Sequence, residues 1–189
     1  MDFLSELWLP LVLSAVFVFV ASSVIHMLLP VHKGDYGKLP AEEAVLASLR
    51  SHGVRPGNYM FPCPGSMKES CTPEMQAKYA AGPVGTLLVL PNGPPAIGRA
   101  LFQWFLLSLL ISAVAAYLAR ATLGPNADYL AVFQVTGTTA WMAYSFGQLQ
   151  DSIWKGVKWS TSLKFVVDGL VYALVTGGTF GWLWVQSAT

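Results

Sequence analysis

The densest set of chemistry-bearing side chains in this sequence is soft. Met60, Cys63, Met67, Cys71 and Met75 crowd into residues 60–75. Thiolates and thioethers suit Cu(I), and His32 or His52 would have to join them to make a zinc set. The spacing serves neither metal well. Cys63 and Cys71 form no CxxC or CxxxC pair, and the segment has no histidine of its own. Met60, Cys63, Met67 and Cys71 are therefore expected to fill gaps in a packed loop, methionine being the adaptable apolar filler. A weak metal site is the alternative.

His26, Lys164 and Asp168 fall inside apolar stretches, where ionisable groups are expensive and are suspects for function. His26 is the one histidine so placed. A haem would ask for a second axial ligand from another stretch, and only Met142 offers itself. The expectation is a neutral imidazole hydrogen-bonded to a neighbouring helix. Asp168 follows Lys164 by one helical turn, so the expectation is an interfacial pair, or a carboxylate capped by loop donors. The functional alternative is a proton or cation site between helices, as in a small transporter centred on Asp168.

Gln134, Thr138, Ser145 and Gln148 lie broadly along one side of a third apolar stretch. They are expected to hydrogen-bond across helices and specify packing, with a small pore or a quinone or lipid pocket as the alternative. Gly169, Ala173, Gly177 and Gly181 recur every fourth residue in the last stretch. In lipid such a row lets two helix backbones approach closely, and it reads as a helix-packing interface. No GxSxG, HExxH, Walker loop or GxGxxG after a strand occurs, so enzymatic activity has no support and no cofactor is named.

The elements that must position these residues follow from hydropathy. Four apolar stretches, 11–29, 100–119, 129–149 and 163–184, are each near the ~20 residues that cross a bilayer's hydrocarbon core as a helix. Hydrophobic residues are 54% of the chain and charged residues 11%, against about 25% charged in soluble domains. Within the four stretches the charges are Lys164 and Asp168 alone. The fold class is all-α integral membrane protein: one span in 1–30, a long and mostly irregular loop over 31–98, and three spans in 99–189. The net charge of +1 argues against a nucleic-acid partner, which requires a dense basic patch.

The loop opens with turn chemistry at 32–37, and a short amphipathic helix is expected from Pro40 to about Ser51. Pro40 stands at its start, Glu42 and Glu43 in its first turn and Arg50 near its end, with Gly53 as the stop. Residues 86–90 form an apolar run too short to span, either a strand or a stretch at the membrane surface. So little regular structure is not expected to fold alone.

Basic residues set the orientation. Lys155 and Lys158 lie in one short link and Arg120 in the other, so loop 31–98 and the link 150–162 are expected on the cytoplasmic side. Both termini then face the periplasm or exterior of a bacterial-type inner membrane. The first ten residues hold Asp2 and Glu6 but no Lys or Arg, which suits a retained first span and not a cleaved signal. The expected function is non-catalytic: an accessory, assembly or structural subunit of a larger membrane complex. Its partners would be the lipid bilayer and other membrane-protein subunits, or further copies of the chain. A metal- or redox-linked protein using the Met/Cys loop, with His26 or His32, is the runner-up.

Overall fold

A computed structural model describes residues 3–187, with side chains placed as far as 184; Asp2, counted above, lies outside this range. In chain order the elements are α1 (Phe3–Glu6), α2 (Trp8–Ser23), a π-helical turn (Val24–Leu28) and a 3-10 turn (Pro30–His32). Then come α3 (Glu42–Ser51), β1 (Gly57–Phe61), α4 (Met67–Ser70), α5 (Pro73–Ala81) and β2 (Gly85–Val89). Three long helices follow: α6 (Ile97–Thr122), α7 (Tyr129–Lys155) and α8 (Trp159–Ser187). The chain divides into two compact units, one of Met1–Asp35 with Ala96–Thr189, the other of Tyr36–Pro95.

The first unit is helical, and three of its helices are long and apolar enough to cross a membrane: Trp8–Leu28, Ile97–Thr122 and Trp159–Trp184. The sequence reading expects four, and α7 is the one that falls short. α7 has the length, 27 residues, but Gln134, Thr136, Thr138, Thr139, Gln148 and Gln150 dilute its hydropathy.

Small residues decide how the helices meet. On α2, Ser14, Ala15, Val18 and Ser22 are buried, and on α6 so are Ser108, Ser112, Ala115, Ala116 and Ala119. The short side chains let the backbones close until hydroxyls bond across the gap: Ser14 Oγ to Ser112 Oγ at 2.9 Å, and Trp104 Nε1–H to Ser22 Oγ at 2.8 Å. Each such bond is worth about 0.6 kcal/mol in a membrane interior.

α7 and α8 form the tightest pair. Asp128 caps α7 by accepting from the Ala131 N–H at 2.8 Å, and Gly156 ends it with a φ of +71°, a conformation that favours glycine. The chain then turns straight into α8. Gly169, Ala173, Gly177 and Gly181 all face α7. A methyl on Gly177 would lie 2.9 Å from the Phe133 carbonyl oxygen, and one on Gly181 2.7 Å from the Tyr129 ring. At the other end of the hairpin Ser152 Oγ–H donates to Ser162 Oγ at 2.7 Å. The two helices therefore run side by side from Tyr129–Gly181 to Ser152–Ser162.

The second unit pairs β1 with β2 antiparallel, Gly57 opposite Val89 and Phe61 opposite Gly85. The run at 86–90 is thus a strand, whose partner lies in a segment that the sequence reads as irregular. α3 has Glu42 and Glu43 in its first turn and Arg50 in its last, and Gly53 follows with a φ of +64°. Thr72 caps α5 by accepting from the Met75 N–H, with Pro73 in the first turn. Met75 is the single residue of this unit that is buried. Tyr36, Met67, Val84, Leu88 and Leu90 are all well exposed.

Candidate functional site

The first unit holds one compact charged cluster, and its geometry begins with a proline. A residue before proline is pushed out of the helical region. Leu29, preceding Pro30, is accordingly extended, with φ −89° and ψ 141°. The helix closes in a π-turn, with Leu29 N–H donating to the Val24 carbonyl at 3.2 Å. A π-turn inside an otherwise regular helix often marks a functional position. The 3-10 turn that follows folds the chain back and lays His32 on His26, ring centroids 4.4 Å apart. Phe165 of α8 covers both rings, 5.9 Å from His26 and 4.9 Å from His32.

Asp168, on α8 and nearly enclosed, receives both histidines. His32 Nε2 stands 2.8 Å from its Oδ2, and His26 Nε2 stands 3.7 Å from the same oxygen. The Tyr172 hydroxyl reaches His26 Nε2 at 3.4 Å. On its other side His32 Nδ1 lies 2.6 Å from Asp35 Oδ2. Lys164 Nζ completes the network, donating to Asp35 Oδ1 at 2.6 Å and to the Val31 carbonyl at 2.8 Å. Beside the cluster is an apolar groove of 540 Å³ whose walls include Ile25, Leu29, Val167 and Val171, with Lys164 and Asp168 at its polar edge.

The Asp35 side chain is only 3% exposed, yet it is held ionised. The Lys164 hydrogen bond pulls its carboxyl below the ordinary carboxylate value, and the His32 contact adds to this against the upward push of burial. A pH dependence follows. As pH falls, the unfolded chain takes up the proton first, so the stabilisation is whole above the ordinary carboxylate range and lost below it. Thermal unfolding in detergent from about pH 7 to pH 3 should show this decline, and Asp35→Asn should shallow it. An acid limb unchanged by Asp35→Asn would refute the assignment.

The residues singled out in the sequence are distributed as follows. His26 and Asp168 come together. Lys164 bonds Asp35 and not Asp168, because the turn at 30–35 delivers a carboxylate to the lysine while His32 occupies the aspartate. Met60 lies on β1, Met67 opens α4, both are exposed, and Cys63 and Cys71 are free and exposed. Among the described residues, the three His, Cys, Asp or Glu ligand atoms that converge within 4.8 Å belong to His26, His32 and Asp168. Gln134 and Thr138 line a shallow 160 Å³ groove between α7 and α8, with Trp141, Leu170 and Leu174. Ser145 is buried and donates to the Val166 carbonyl at 3.3 Å.

His32, which the sequence offers only as a partner for the Met/Cys loop, Asp35 and the Trp141 indole belong to the candidate sites, and sequence reasoning misses the last two. A faint signal for the first two exists: a proline ending the span, then a histidine and an aspartate three residues apart. Comparison with family models, with curated proteins and with solved structures finds no match to this chain.

Proposed function

We propose that the chain is a non-catalytic, four-span inner-membrane protein that acts as an accessory or assembly subunit of a larger membrane complex. A fourth span is supported by the hairpin: α7 follows α8 from Tyr129–Gly181 to Ser152–Ser162, so a bilayer deep enough for one holds both. Four crossings leave the termini on one side. The charges of the short links, Lys155 and Lys158 against Arg120, support the exterior for the termini and the cytoplasm for residues 36–95.

One observation carries the assembly reading. The outward groove of α7 has unmet hydrogen-bonding capacity at membrane depth. Gln134 and Thr138 are exposed, and among the described residues neither side chain finds a hydrogen-bond partner. Trp141 Nε1, in the same groove, is buried and unpartnered. Facing lipid, the Gln134 and Thr138 side chains cost free energy with no water to repay it, whereas a partner helix with a polar side chain would satisfy them. The occupant that fits is a membrane helix of another subunit, with small residues opposite Leu170 and Leu174 and a hydrogen-bonding side chain opposite Gln134.

Mild detergent extraction should release a particle much heavier than one chain, and mass spectrometry should find a second protein in it. The double variant Gln134→Leu, Thr138→Val should free the chain as a folded monomer. A wild-type protein that is monodisperse and monomeric would defeat this reading. So would a complex indifferent to the double change.

A further inference from the structure

We infer that His26, His32 and Asp168 form a binding site for one divalent first-row transition cation of the zinc class. The chain's own hydrogen bonds lead there. Asp35 is an acceptor only, so His32 Nδ1, 2.6 Å from it, carries the proton and donates. The other ring nitrogen, Nε2, stands 2.8 Å from Asp168 Oδ2. A proton between those two atoms would leave the third, His26 Nε2, with the Tyr172 hydroxyl at 3.4 Å. His26 Nε2 converges on the same oxygen from 3.7 Å, and a metal ion uses all three.

The donor set also selects the ion. Two imidazoles and one carboxylate are borderline nitrogen and oxygen ligands, the set favoured by zinc and by ferrous iron with open positions. Around a tetrahedral ion with bonds of about 2.1 Å, neighbouring ligand atoms lie about 3.4 Å apart. All three atoms here lie within 4.8 Å of one another, so side-chain shifts of about 1 Å or less make the site. The supporting contacts fit as well. A ligating histidine ordinarily donates its far N–H to a carboxylate, which fixes the ring and raises its basicity. Asp35 does this for His32, and Lys164 in turn anchors Asp35. Phe165 holds both rings from one side. The groove beside Asp168 gives the open position, where water or another small donor would complete the shell.

This site is separate from the Met/Cys loop, and it does not depend on the partner reading. The test uses the full-length protein in detergent, stripped with chelator and titrated with Zn²⁺ alone, then with Co²⁺ as a spectroscopic probe. The expected result is one ion per chain and visible Co²⁺ bands of low-symmetry coordination. His26→Gln, at a half-exposed position, should weaken binding at least 100-fold. Asp35→Asn should weaken it about 10- to 100-fold through His32. Cys63→Ser with Cys71→Ser should leave it unchanged. Folding of each variant is checked by its helical circular dichroism. Substoichiometric Zn²⁺ in the wild-type protein overturns the proposal, and so does binding that survives His26→Gln in a folded protein. Loss on removing the cysteines would move the site to the loop and overturn it equally.

Discussion

Leucine in place of Gly177 is expected to pry α7 and α8 apart. The obstacle is backbone: the new Cβ would stand 2.9 Å from the Phe133 carbonyl oxygen and 3.2 Å from Gly137 Cα. Neither atom can rotate away, so the helices must separate along a seam that is close-packed for most of its length. Overpacking a tight interior costs about 1–3 kcal/mol, and a rigid obstacle belongs at the upper end, about 3 kcal/mol. Gly178 is the matched control. A Cβ there meets nothing nearer than the Tyr129 hydroxyl at 3.7 Å, so Gly178→Ala should cause no loss. Thermal or detergent-induced unfolding, followed by tryptophan fluorescence, reads the difference between the two. Equal midpoints would show that the seam is loose. If Gly177→Leu left the isolated chain's stability intact but removed a partner, the row would belong to a subunit interface and not to the hairpin.

That contrast shows where local pattern stops. Small residues at a spacing of four announce that a helix will meet something closely; they do not say what. Here Phe133, Gly137 and Tyr129 of the same chain occupy the row. The long helices are legible because hydropathy is a local property, and the end of α3 because the stop at Gly53 is local too. β1 is not, since Gly57–Phe61 becomes a strand only by pairing with Gly85–Val89. The same limit governs the charged cluster. Asp168 and His26 each stand out as ionisable residues among apolar ones. Nothing local says that a proline turn will carry His32 across to a residue 136 positions away, or that Lys164 will prefer Asp35 to the aspartate one turn along its own helix. The α7 groove illustrates a different gap. Gln134 and Thr138 advertise polarity, but whether α8 satisfies them is a matter of packing, and Trp141 has no sequence mark at all.

Lys164→Met should destabilise the chain more than loss of an ordinary surface ion pair, and Asp35→Asn should restore much of the loss. The lysine is the cation that lets an almost wholly enclosed Asp35 stay ionised. Without it the carboxylate faces the Val31–Asp35 turn with only His32 to oppose its charge, and the Val31 carbonyl loses its donor. Removing one partner of a buried pair costs about 3–5 kcal/mol. Lys164 is 32% exposed and water shares its charge, so about 2 kcal/mol is the better expectation. Methionine keeps the apolar stem, which isolates the ammonium's contribution from packing. Asparagine at 35 keeps the shape and can still accept from His32, while no longer requiring a cation. The double variant should therefore be more stable than the sum of the single losses predicts, a positive coupling of about 1 kcal/mol or more. Strict additivity would mean that Lys164 does not act through Asp35. The turn at Pro30–Asp35 would then be held by the His32–Asp168 contact alone.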